Sequence, residues 1–433
     1  MHTDITNINF LGLSFILFMG ICLIILPRRQ AFIPIILSAF YMTIGQQLDF
    51  FGLNFFALRI IILFGWIRLL VRRELGLSKL TTMDKMIILW AAAFIITYTL
   101  LLQTHEAFIN RLGRTYDALG LYFLFRHLIH NFDDIEYIIK NIAILILPLS
   151  LILLFEKFTG NNIFFIFGGV PQTAWIRSEA FRAQGPFRHA IFAGTVGASL
   201  MPLFWGLWFK NEDRYKIVSL VGLVAATIIT YSSYSSGPAT AYIFGIIGIL
   251  MWPLRQNMRI VRWSIFLCVI ILHTIMKAPV WFLLSRLSSI IGGTGWHRAE
   301  LLDQAINHFG DWWLIGTKYT ANWMPYTLHS GEADITNAYI GQAVNGGLLT
   351  MILFIAIIVF SFREIGLSIQ ALDDRLIYRK KVLWLMGVSL FTHAVSFMAV
   401  TYFDQTIVFW YLLLAMIATA NIATSIKKDE VTI

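Results

Sequence analysis

Five arginines stand out by position: Arg177, Arg182, Arg188, Arg286 and Arg298 lie in two long polar stretches, roughly 158–189 and 278–337, that are otherwise sparse in Lys and Arg. A guanidinium is permanently charged and presents a planar fork of donors that fits phosphate oxygens. Such residues point to an anionic, phosphate-bearing ligand. The plainer alternative is ion pairing with Glu179, Glu300 or Asp303, or snorkelling to lipid phosphates. A second concentration of reactive groups follows: His329, Glu332 and Asp334, then Thr336 and Asn337. Imidazole and carboxylate groups act as general bases towards a hydroxyl. An Asp-x-Thr-Asn run before an apolar stretch is also helix N-cap chemistry, and a helix N-terminus favours a nearby anion. The two readings are compatible.

Composition dictates what must carry these residues. Hydrophobic residues make up 58% of the 433 and charged residues only 13%, with a mean hydropathy of +0.73. A soluble protein keeps about 25% charged residues, so lipid is the expected solvent. The apolar runs are continuous rather than alternating, which argues against a β-barrel. About thirteen runs qualify as spans, near 8–26, 31–46, 50–71, 86–102, 112–130, 135–156, 190–208, 216–232, 238–254, 259–277, 338–360, 381–402 and 405–425. The expectation is one all-α, polytopic membrane domain over residues 1–433 with about 12–13 transmembrane helices. The first run ends at Pro27-Arg28-Arg29 without a small-residue cleavage site, so a retained helix is expected.

Lys and Arg set the orientation. Arg28 and Arg29, Arg72 and Arg73, Lys210 to Lys216, Arg255 to Arg262, and Arg363 to Lys381 fall in alternate loops, which predicts a cytoplasmic side. This accounts for most of the net charge of +9 without nucleic acid. The opposite, outer side receives Gln47 to Asp49, the loops 158–189 and 278–337, Ser232 to Gly237, and Thr401 to Asp404. The Ser232–Pro238 segment reads as a simple polar turn. Gly341, Gly346 and Gly347 read as helix-packing residues. Trp312, Trp313 and Trp323 suit either sugar stacking or an interfacial aromatic belt, the belt being favoured. Cys22 and Cys268 lie singly in apolar runs, and the nearest thing to an outer Asp-x-Asp pair is Glu332-Ala-Asp334, so no disulfide framework, metal site or cofactor is expected.

Two segments together resemble the O-antigen ligase and polymerase superfamily of bacterial membrane glycosyltransferases. Arg182-Ala-Gln-Gly185-Pro-Phe187-Arg-His-Ala-Ile-Phe-Ala-Gly194 is similar to that family's Arg-x-x-Gly segment, which leads from a periplasmic loop into a membrane helix. Arg298, an amphipathic helix and Leu314-Ile-Gly316 resemble its long periplasmic loop, which closes on a His-[Asn/Ser/Gln]-x9-Gly-x-x-[Gly/Thr/Tyr] motif; Asn337, Gly347 and Thr350 match, whereas Thr336 stands where ligases carry histidine, and Ser235-Ser236-Gly237 departs from the Ser-Arg-Gly turn of many relatives. The resemblance implies a GT-C-like fold with a large helical periplasmic loop, in the bacterial inner membrane. It implies transfer of glycan from undecaprenyl pyrophosphate to an acceptor hydroxyl, without metal. Arg182 and Arg298 would then serve the pyrophosphate, with Arg177 and Arg188 as further contacts. His329 or Asp334 would serve as base, beside Thr336 and Asn337 at the substrate. The substituted histidine favours a polymerase, which extends glycan on the polyprenyl carrier. The alternative is a ligase acting on lipid A core. A lipid-linked glycan flippase is a third reading, against which the concentration of charge in two outer loops argues.

Overall fold

The computed structural model describes residues 6–43, 46–50, 53–76, 80–286, 295–324 and 332–431. His329 lies outside them. Helices dominate: α1 (Phe10–Ile25), α2 (Phe32–Tyr41), α3 (Ala57–Val71), α4 (Thr82–Leu102), α5 (His105–Leu128), α6 (Phe132–Thr159), α7 (Ala190–Leu207), α8 (Asp213–Ser232), α9 (Ser236–Leu250) and α10 (Met258–Ile275). After them come helices at Gly295–Asn307, Ala338–Ala371, Ile377–Ser396 and Gln405–Val431. Each predicted apolar run contains one of these helices. Among the described residues six helices are long and apolar enough to cross a membrane: Thr82–Leu102, Phe132–Thr159, Ala190–Leu207, Asp213–Ser232, Trp252–Ile275 and Ala338–Ala371. This is a helical, multi-pass membrane protein.

Six of the thirteen expected spans thus meet this measure, and two of the others fall short for a plain geometric reason. The 31–46 run yields only the 10-residue α2, about 15 Å long at 1.5 Å per residue, or half a bilayer core. The start of the 50–71 run is strand rather than helix: Gln46–Phe50 pairs antiparallel with Leu53–Phe56 and parallel with Thr6–Asn7. The Phe-rich sequence there suits a pleated surface as well as lipid.

Polar contacts tie the loops into groups. At one end Arg28 and Arg29 pair with Asp134, Arg379 with Asp133, and Lys210 with Glu136. At the other end Ala338 N–H donates to Phe397 O (2.8 Å), Thr401 Oγ1 to Ile335 O (3.1 Å), and Arg182 to Ser235.

The central element is α7, whose apolar window is 89% buried. Its small residues allow close approach: a Cβ on Gly197 would sit 2.7 Å from Ala226 O of α8. By contrast, none of the Trp252–Ile275 window is buried, so its apolar side chains face outward all round. The segment 295–324 forms a small core of its own, where Leu301, Ala305, Trp312, Trp323 and Met324 pack against Ile340 and Ala343.

Candidate functional site

The site begins with a hairpin. Trp175–Arg177 pairs antiparallel with Ala180–Arg182, with Trp175 opposite Arg182 and Arg177 opposite Ala180. The two connecting residues, Ser178 and Glu179, both have positive φ (47° and 62°), the backbone of a tight primed turn whose twist matches the strands. Side chains alternate with period two along a strand, so Arg177 lies on the face of Trp175 and therefore of Arg182. Local strand geometry alone aligns two guanidinium groups.

The hairpin is fastened to the bundle by a buried carboxylate. Glu156, fully buried near the end of α6, accepts the main-chain N–H groups of Gln184 (3.0 Å) and Gly185 (2.8 Å). Asn162 Nδ2 donates to Gly185 O (2.9 Å), and Lys157 Nζ donates to Phe181 O (2.7 Å). Gly185 has φ of +58°, and a Cβ there would meet Leu153 Cδ2 at 2.8 Å. The glycine of the Arg-x-x-Gly segment is thus a backbone requirement.

Arg182 and Arg298 then meet at one turn. Arg182 Nη2 donates to Ser235 Oγ (2.8 Å), while its Nε is buried without a partner. A Cβ on Gly237 would lie 3.2 Å from Arg298 Nη2, so that guanidinium covers the face of this glycine. The Ser232–Pro238 segment, expected to be a simple turn, instead joins α8 to α9 and receives both arginines. Burial, and after it the charge of Arg177, push both guanidinium groups below their usual range. Arg177 therefore lies near both. Among the described residues no carboxylate pairs with Arg177, Arg182 or Arg298. Of the acids expected to neutralise them, Glu300 accepts from Gln304 and Asp303 from Trp281 and Asn307, while Glu179 sits exposed in the hairpin turn and forms no ion pair with them among the described residues. Among the described residues these three clustered cations have no carboxylate partner, so they repel one another, and negative charge placed between them would relieve that repulsion.

A cavity of about 450 Å³ adjoins this cluster, with Arg177, Ser235 and Ser236 on its lining. It continues along α8 and α9 past Thr230, Tyr231, Tyr242 and Ile243. Thr230 and Tyr231 lie in the last turn of α8, and Tyr242 and Ile243 lie six and seven residues into α9, about 10 Å at 1.5 Å per residue. Tyr231 and Ile243 are exposed, so the cavity opens sideways onto the apolar surface.

Other expected residues lie elsewhere or are already engaged. Arg188 sits 2.7 Å from Asp404 across an ion pair, at an angle outside hydrogen-bond geometry, since both atoms lack a hydrogen bond. Burial pushes the Asp404 carboxyl up to about 6, against the pull of Arg188. Asp334 is exposed; its main-chain oxygen is met by Thr336 N–H (3.0 Å) and lies 3.3 Å from His297 Nε2. Thr336 Oγ1 is buried and unpartnered. The helix cap is Asn337, not Asp334 or Thr336: its Oδ1 accepts from Tyr339 and Ile340 N–H.

The Asn-x9-Gly-x-x-Thr pattern itself describes a broken helix. Gly347 interrupts the Ala338–Ala371 helix with φ 75° and ψ −175°, a region only glycine enters freely. Thr350 Oγ1 donates to Gln342 O (2.8 Å) and Gly347 O (3.0 Å), and Thr317 N–H donates to Val344 O (2.9 Å), satisfying carbonyls the break releases. Gly347 therefore serves backbone conformation rather than helix packing alone. Trp312 and Trp323 belong neither to a sugar platform nor to an interfacial belt, being buried in the small core of segment 295–324, whereas Trp313 is exposed.

Glu156, Lys157 and the Ser235–Gly237 turn were not singled out by sequence reasoning as site residues. For Glu156 and Lys157 the available signal was a carboxylate ending a span beside a lysine; for the turn it was that Ser235-Ser236-Gly237 stands where many relatives of the resembled family carry Ser-Arg-Gly. The chain matches no protein-family model, and comparison with curated proteins yields no match.

Proposed function

We propose that this protein is a metal-independent glycosyltransferase of bacterial surface-polysaccharide assembly, a polymerase that extends glycan on undecaprenyl pyrophosphate. Its cation-lined end would face the periplasm from the inner membrane. The observation that carries this reading is the convergence of Arg177, Arg182 and Arg298, with no carboxylate partner among the described residues, beside a laterally open apolar cavity. A ligand with a diphosphate head and a long hydrocarbon tail matches both features.

In the reaction, the acceptor hydroxyl oxygen bonds to C1 of the donor sugar as the bond from C1 to the diphosphate oxygen breaks. Undecaprenyl diphosphate leaves with the bonding pair, and the hydroxyl proton passes to a base. The three guanidinium groups oppose the charge that develops on the leaving oxygen, in surroundings poor in water.

A ligase acting on lipid A core is favoured by one specific feature. His297 Nε2 lies 3.3 Å from Asp334 O, bringing an imidazole to the segment where Thr336 replaces the ligase histidine. Purified protein with lipid-linked repeat units separates the readings. Longer glycan on the polyprenyl carrier supports the polymerase, transfer to lipid A core supports the ligase, and movement of lipid-linked glycan across liposomes without a new glycosidic bond overturns both.

A further inference from the structure

We propose that His189 serves this site as a neutral hydrogen-bond donor, presenting Nε2–H to the diphosphate oxygens that the arginines hold. The inference rests on the glycosyl-transfer reading and adds a residue to it.

The ring's tautomer follows from its local bond. His189 is the N-cap of the 18-residue α7, and its Nδ1 accepts the main-chain N–H of Ile191 at 3.1 Å. A nitrogen that accepts from an N–H has its lone pair in use and carries no hydrogen, so a neutral ring holds its hydrogen on Nε2. Among the described residues Nε2 has no hydrogen-bond partner.

The position follows from packing. The first turn of α7 lies against the turn that both arginines reach. Ile191 Cδ1 and Arg298 Nη2 approach the same face of Gly237, at 3.6 and 3.2 Å from a Cβ built there, and Pro238 Cβ lies 2.8 Å from one on Gly194. The α7 N-terminus thus opens towards the cations, adding its own partial positive charge.

The charge state follows from the surroundings. Burial, then the charges of Arg182 and Arg177, hold the imidazole down to about 4. The other cations bound to these elements are Lys157, which donates to Phe181 O on the Arg182 strand, and Arg298, against Gly237. With Nδ1 committed to the cap and Nε2 already protonated, the ring is unsuited to accept the acceptor's proton. It is suited to donate to the oxygen on which charge grows as the glycosidic bond breaks. The hydrogen stays on Nε2 throughout, and that bond strengthens towards the transition state.

The test uses the full-length protein in nanodiscs with lipid-linked repeat units. His189→Ser keeps the helix cap but loses the donor; His189→Asn keeps the cap and has an amide N–H. The expected result is a fall in kcat of about 100-fold for His189→Ser with KM little changed, and recovery of at least tenfold in His189→Asn. Wild-type kcat/KM should show no ascending limb between pH 6 and 7 assignable to this imidazole. Equal activity of wild type and His189→Ser overturns the proposal. So does a limb near the ordinary histidine value that vanishes in His189→Asn, which would make the ring a base. Absence of transfer by the wild type instead sinks the parent reading.

Discussion

Replacing Arg177 by Gln should stabilise the empty protein while crippling the loaded one. Arg177 and Arg182 share one face of a hairpin as diagonal neighbours, a relation that sets their Cβ atoms about 7–8 Å apart. Two like charges about 8 Å apart repel by about 2 kcal/mol at an effective dielectric of 20. Partial exposure and salt reduce this to about 1 kcal/mol, and Arg298 is lowered by the same charge. Arg177→Gln removes this repulsion and is expected to raise the melting temperature of the unliganded protein in nanodiscs by a few °C. Inorganic pyrophosphate or undecaprenyl diphosphate should then reverse the order, because a ligand stabilises only the protein that binds it. Transfer activity should fall by about 10- to 100-fold. The reasoning fails if Arg177→Gln melts lower than wild type without ligand, which would mean Arg177 holds the fold. It fails equally if pyrophosphate shifts both proteins alike.

Other perturbations probe the frame around the cluster. Glu156→Ala leaves two buried N–H groups without an acceptor, at about 1–3 kcal/mol each, so kcat should fall about 100-fold through displacement of Arg182; Glu156→Gln, which can satisfy one of them, should lie between, and identical kinetics in all three would contradict the clamp. Gly347→Ala forces a side chain into a positive-φ position packed against Leu314 O, and expression or melting temperature should drop, whereas an unaffected protein would show that the break is not needed. The raised Asp404 carboxyl means the folded state holds that proton more tightly than the unfolded chain. Its contribution to stability is therefore full below about pH 4 and is lost as pH rises through about 6; Asp404→Asn should flatten that part of the melting-versus-pH curve, and parallel curves for the two proteins would count against it.

Composition and periodicity determined most of the architecture. Sixteen or more apolar residues in a row have few options but a helix in lipid, where every backbone polar group must be satisfied within the segment. Short-range chemistry was legible too: the Asn before Ala338 caps its helix, although the cap is Asn337 itself rather than its neighbours. The sequence could not say that Arg188 faces Asp404, 216 positions away, while Arg182 turns to Ser235, 53 positions away. Nor could it say that Glu156 anchors the strand carrying Arg182, or that an unremarkable serine-rich turn is where distant cations meet. Those pairings depend on how helices cross and how loops fold back over their ends. They are decided by long-range packing, which no local pattern of residues encodes.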